Sequence, residues 1–186
     1  MKNKIFVFSV NLCAQGIKTL RAVSGSQLAV GGGDGQVVLL STADGKSAQP
    51  LFKTQNYGAI SGLSASPDGV QLMAATDKGF IYRTRCSDFS QMLLCESHTE
   101  PVLNCWFMPG VSDKFITTCE DGTLRLWDAN DYSVLARCSA NSNHGISQGG
   151  NCIHALCAIF TDEVIISGWS DGFIRAYRVD NCALLW

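Results

Sequence analysis

The chain has 186 residues, the length of one domain, and its 46% hydrophobic and 16% charged content excludes an intrinsically disordered chain. Fourteen Lys and Arg against sixteen Asp and Glu leave a formal net charge of -2, spread along the sequence, so there is no basic footprint for nucleic acid. No apolar run approaches the roughly 20 residues that cross a bilayer as a helix, which excludes a helical membrane span.

In chain order, the opening MKNKIFVFSVNLCAQG imitates a secretory leader, but Ser9 and Asn11 interrupt its apolar stretch and residues 5–10 read as a strand. Four segments then repeat one pattern of an apolar run, an acidic turn closed by Gly, and an alternating run: QLAVGGGDGQVVLL, QLMAATDKGFIYRT, KFITTCEDGTLRLWD and EVIISGWSDGFIRAYR. Their glycines, Gly35, Gly79, Gly122 and Gly172, are spaced 44, 43 and 50 residues apart, close to the roughly 40–45 residues of a four-stranded propeller blade. The last interval is lengthened by the polar, Gly-rich stretch 139–151. Further strand text, such as QMLLCES and PVLNCWF, flanks the third glycine, and no segment has helical periodicity.

The expectation is an all-β propeller segment of about four four-stranded blades at roughly 1–45, 46–90, 91–133 and 134–186, with NCALLW as the last outer strand. Four blades is the lower limit for such rings, so an incomplete ring and a fragment of a longer protein are expected. The faces of its first and last blades would then require a partner or further repeats.

Nine cysteines, at 13, 86, 95, 105, 119, 138, 152, 157 and 182, form no C-x-x-C pair and sit mostly in strand-like text. They read as free thiols packed as small hydrophobes in a reducing compartment, without a disulfide framework or zinc knuckle. GGGDG at 31–35 is followed by a strand rather than a helix, which removes the phosphate cradle. Cys152 and His154 fall on one strand face and Cys157 on the other, a poor geometry for chelation. Carboxylates such as Asp68 and Asp113 sit singly in turns. No catalytic residue, metal or cofactor is expected.

The third unit carries His98, Thr117, Asp121 and Trp127, closed by Trp127-Asp128, and in this it resembles the WD-repeat family. The resemblance implies a hydrogen-bonded structural tetrad, which satisfies polar groups buried inside a blade. The fourth unit keeps Ser167 and Asp171 with Tyr177 at the Trp position, a degenerate copy, and the first two units have lost most of the signature, with Leu40 and Thr84 near that position. Trp169 in the following turn reads either as packing against a neighbouring blade or as a partner anchor; Trp169, Ser170 and His144 of the long loop form the candidate contact. Arg125 and Arg175 recur three residues after their glycines and read as stems covering the strand surface.

From about Gly58 onward, GAISGLSASPDGVQLMAATDKGFIYR, SDFSQMLLCESHTEPV and VIISGWSDGFIRAY resemble the cilia- and flagella-associated protein 52 family. That resemblance implies a non-enzymatic scaffold of the ciliary axoneme, a microtubule inner protein touching tubulin and other axonemal proteins. A ubiquitin-ligase substrate receptor is an alternative within WD-repeat proteins, weakened by Asn130 where such receptors carry Arg. A propeller enzyme is the alternative from another class.

Overall fold

Period-two apolar alternation, broken every few residues by Gly or Asp, can satisfy its backbone only in strands joined by tight turns. The computed structural model describes residues 9–45, 47–54, 58–94, 98–140, 153–161 and 163–186, and every regular element among them is a strand. The first sheet holds β1 (Ile17–Ser24), β2 (Gln27–Gly32), β3 (Gln36–Ser41) and β4 (Ala48–Lys53), and the second β5 (Ile60–Ala65), β6 (Gln71–Thr76), β7 (Ile81–Arg85) and β8 (Gln91–Leu93). The third holds β9 (Val102–Phe107), β10 (Lys114–Cys119), β11 (Thr123–Asp128) and β12 (Val134–Ser139), and the fourth β13 (Ala155–Phe160), β14 (Val164–Trp169) and β15 (Ile174–Arg178). Each sheet is an antiparallel meander in sequence order.

Two expectations about elements are corrected. The boundaries read at residues 45, 90 and 133 fall between the third and fourth strands of their sheets, because each fourth strand pairs with the third strand before it. NCALLW forms a single bridge, Tyr177 to Leu184, rather than a full strand. It still runs beside β15, with the Leu185 amide donating to the Ala176 carbonyl at 2.7 Å and the Ala176 amide to the Trp186 carbonyl at 2.9 Å. The strand read over 5–10 lies mostly outside the described residues, and its last two, Ser9 and Val10, are not in a strand.

The sheets stack in an open series, β1 against β5, β5 against β9, and β13 against β9 and β10, and no packed face joins the first sheet to the fourth among the described residues. Three apolar clusters fill the gaps: Val37 and Leu63 lie in the first, Ile81 and Cys105 in the second, Leu124 and Ala158 in the third. Val10, Leu12 and Cys13 form a further small cluster with Val30, Val38 and Leu40 of the first sheet.

The repeated glycines close the turns between second and third strands in the left-handed region, at φ 76°, 84°, 77° and 83°. Gly79 and Gly172 separate conformational from steric requirements. A Cβ on Gly79 would collide with the His98 carbonyl oxygen and lie 3.0 Å from that of Glu100, whereas one on Gly172 meets nothing within 4 Å. Gly172→Ala is expected to cost about 1–2 kcal/mol, the left-handed penalty alone, and Gly79→Ala clearly more, since backbone must move as well. Urea denaturation of the two variants checks this; equal losses would remove the steric contribution.

Candidate functional site

The third sheet brings His98, Thr117, Asp121 and Trp127 into one buried network. Trp127 on β11 stacks on Phe115 of β10 at 5.6 Å between ring centroids, which fixes its indole over the blade. Its Nε1–H donates to Thr117 Oγ1 at 2.9 Å. An indole only donates and a carboxylate only accepts, so the remaining bonds run in one sense. The Thr117 hydroxyl donates to His98 Nε2 at 2.7 Å, and His98 Nδ1–H donates to Asp121 Oδ2 at 2.8 Å. Asp121 also accepts the Thr123 amide at 2.9 Å and hydroxyl at 2.6 Å, with Arg125 Nη2 3.4 Å away.

Burial pushes the His98 pKa down, against the opposing effect of its hydrogen bond to Asp121, so the imidazole is neutral as the network requires. Burial alone would raise the Asp121 pKa, but the hydrogen bonds of His98 and Thr123 outweigh it and hold the carboxyl well below the usual range. The unfolded chain therefore takes a proton on histidine before the folded one does. The stability that neutral His98 contributes is complete above the unfolded value of about 6.5 and is lost as pH falls below it. Asp121 contributes above about 3.9 and loses its share only in stronger acid. The melting temperature is expected to fall between pH 7 and pH 5, and His98→Gln to flatten that fall; an unchanged slope would remove His98 as its source.

A turn carboxylate is present in all four sheets, directly before the glycine in three and one residue earlier, ahead of Lys78, in the second, and its partner changes. Asp34 accepts the Ala14 amide at 3.2 Å and the Gln36 amide at 3.3 Å, and Asp77 accepts the Ala59 amide at 2.9 Å. In the fourth sheet Arg175 grips Asp171 with both terminal nitrogens, at 3.0 and 2.6 Å, and holds its carboxyl below the ordinary range. Arg125 and Arg175, read from sequence as surface stems, are thus buried partners of the aspartate four residues earlier. The recurrence D-G-x-x-R was the available signal.

Tyr177 holds the register of Trp127, opposite Ile165 as Trp127 is opposite Phe115, but Ser167 Oγ is met by the indole of Trp169 at 2.7 Å, and the buried Tyr177 hydroxyl has no hydrogen-bond partner among the described residues. Trp169 is 3% exposed and lies in the core between the third and fourth sheets, with the Arg175 guanidinium 5.5 Å from its ring centroid. The exposed partner anchor is therefore corrected to core packing. Strand alternation explains the outcome, since Ile165, Ser167 and Trp169 share the buried face of β14. Ser170 is exposed but occupied, its hydroxyl accepting the His154 amide at 2.9 Å, and His144 lies outside the described residues. The exposed aromatic of this turn is Phe173, at 64%.

His154 Nδ1–H donates to the Glu120 carbonyl, Cys157 is exposed and Cys152 lies outside the described residues. Donor atoms of His98, Cys119 and Asp121 come within 4.8 Å of one another. Their bonds are already committed: the Cys119 thiol donates to the Glu100 carbonyl at 3.2 Å, and burial pushes its pKa up to about 12, a poor state for a thiolate ligand. One cysteine expectation fails. Cys138 on β12 and Cys182 after β15 form a disulfide, Cα atoms 5.3 Å apart, across a sequence separation of 44. The turn after β15 folds back onto the outer strand of the preceding blade, a proximity that spacing could not reveal. The other described cysteines are free.

Comparison with known proteins agrees with this geometry. Residues 89–128 match the family described as "WD domain, G-beta repeat". The chain is 29% identical over 171 residues to cilia- and flagella-associated protein 52 of Mus musculus, covering 92% of this chain and 26% of that protein. The namesake protein of Chlamydomonas reinhardtii is 27% identical over 167 residues, and WD repeat-containing protein 90 of Homo sapiens 26%. The chain spans about a quarter of the cilia- and flagella-associated relatives it matches. Among solved structures, the computationally designed Ika4 protein superposes with a TM-score of 0.68 at 16% identity, covering 92% of this chain and 99% of that one. The designed Ika8 protein superposes with a TM-score of 0.67 at 19% identity, with 48% of its chain covered. With one complete tetrad at the matched repeat and four stacked meanders whose first and fourth sheets are not joined among the described residues, the chain is an open β-propeller segment that carries a WD repeat at residues 89–128 and is similar to cilia- and flagella-associated protein 52.

Proposed function

We propose that the chain is a non-enzymatic interaction scaffold of cilia or flagella, and more specifically part of a microtubule inner protein that contacts tubulin and other axonemal proteins. The observation that carries the reading is similarity over 92% of the chain to cilia- and flagella-associated protein 52 of Mus musculus and over 87% to that of Chlamydomonas reinhardtii. The site chemistry supports it. The complete tetrad exhausts its polar groups within one blade, which is the work of a rigid support, and function on such a support lies in its exposed turns. The experiment is expression of the tagged chain in a ciliated cell, followed by detergent extraction and cross-linking of the axonemes. Retention in the stripped axoneme with cross-links to tubulin is expected. Loss of the chain with the detergent-soluble fraction would overturn the ciliary scaffold, and retention without tubulin cross-links would overturn the microtubule contact.

A further inference from the structure

The turn that leaves the third strand is built alike in all four sheets. Gly45, Phe89, Tyr132 and Cys182 stand four residues after the ends of β3, β7, β11 and β15, and the amide of each donates to the carbonyl of that end residue, at 3.1, 2.9, 3.0 and 2.9 Å. All four lie in the left-handed region, at φ 61°, 55°, 63° and 52°. In the third sheet this residue reaches back to the sheet before it: the Tyr132 hydroxyl donates to Gln71 Oε1 at 3.2 Å, and the Arg83 guanidinium lies 5.7 Å from the ring centroid. In the fourth sheet it also reaches back, and the contact is the sulfur of Cys138. One turn position thus carries a non-covalent clasp in one blade and a bond between sulfurs in the next.

The surroundings accommodate both redox states of that pair. Cys138 is buried and Cys182 partly buried in the apolar cluster that holds Leu124 and Ile153, where a thiol packs as a small hydrophobe. Their Cα atoms, 5.3 Å apart, keep the two sulfurs within reach of each other whether or not they are joined. Cys182 sits between the exposed Asn181 and Ala183, so a small thiol or disulfide in solution reaches it first. The buried thiols of Cys105 and Cys119 are committed elsewhere: they donate to the Met73 and Glu100 carbonyls, and burial pushes both pKa values up to about 12.

We propose that Cys138 and Cys182 form a reversible latch between the third and fourth blades, closed by a small disulfide such as glutathione disulfide and opened by the matching thiol. In closing, the Cys182 thiolate attacks one sulfur of glutathione disulfide and expels one glutathione thiolate. The Cys138 thiolate then attacks the Cys182 sulfur and expels the second. Two protein thiols lose two electrons and two protons, and one glutathione disulfide becomes two glutathione thiols. The bond spans a sequence separation of 44 and encloses β13, β14 and β15 entirely. The fourth sheet, already joined to the third by the chain at its start, is then fastened at its end as well, which restricts its separation from the third.

The test equilibrates the full chain with glutathione buffers from fully reduced to mostly oxidised, in a Cys157→Ser background that removes an exposed thiol. Free thiols are trapped by alkylation, and peptide mass spectrometry reads the fraction of Cys138 joined to Cys182. That fraction is expected to change reversibly within the range of the buffers. The melting temperature is expected to follow it, about 5–10 °C higher for the joined form. Limited proteolysis is expected to cut residues 179–186 on the order of tenfold faster in the reduced form. Cys182→Ser should behave as the reduced chain in every buffer, and comparison of the two states of the unsubstituted pair carries the test even where that variant misfolds. A pair still reduced in the most oxidising buffer would overturn the bond, and a pair still joined in the most reducing one would overturn its reversibility. Equal melting and cleavage of the two states would overturn the latch.

Discussion

Asp121→Ala is expected to lower the unfolding free energy by about 3 kcal/mol, since a donor left unsatisfied inside the blade costs about 1–3 kcal/mol, and the melting temperature by roughly 10 °C in a domain of this size. The carboxylate accepts from His98, from the Thr123 amide and hydroxyl, and approaches Arg125. Its loss leaves the His98 imidazole N–H and the Thr123 amide and hydroxyl without the acceptor they share. Asp121→Asn keeps the volume and one acceptor oxygen and should lose less. Asp131, whose carboxylate caps the Ser133 amide at 2.9 Å on an exposed turn, is the control, and Asp131→Ala should leave the melt nearly unchanged. Calorimetry of the three variants decides the matter; equal losses from Asp121→Ala and Asp131→Ala would show that the tetrad contributes no more than an ordinary turn.

Trp169→Ala is expected to cost about 3–5 kcal/mol, as for other large aromatic residues deleted from a core. The indole fills the space between the third and fourth sheets, and its N–H is the partner of Ser167 Oγ. Removal leaves a cavity, takes from Ser167 Oγ the N–H it accepts while its hydroxyl still donates to the Arg175 carbonyl, and takes from the Arg175 guanidinium one of the two rings it covers. Trp169→Phe should recover most of the loss, because volume returns and only the hydrogen bond is missing. Denaturant unfolding with intrinsic fluorescence measures both. If Trp169→Ala keeps its stability but weakens partner binding, the residue is an exposed anchor after all and the packing of the fourth blade is wrong.

The sequence by itself determined the strand content, the number of units and the position of each turn. Those properties are local: a left-handed turn needs Gly35, Gly79, Gly122 and Gly172, and period-two alternation commits the flanking residues to strands. The spacing of Thr117, Asp121 and Trp127 was also legible, because all three lie on one hairpin where register converts sequence distance into spatial distance. Tertiary structure alone decided what crosses between elements without such a register. The fourth strands joined the sheets before them, Cys138 met Cys182 across two blades, and Arg175 turned onto Asp171 rather than along the strand. Trp169 was divided between the two: its parity placed it on the face of Ser167, but only the adjacent third sheet made that face a core. The physical reason is common to these cases. Burial depends on what lies on the other side of a surface, and a strand carries information about its own two faces but none about the neighbour that covers them.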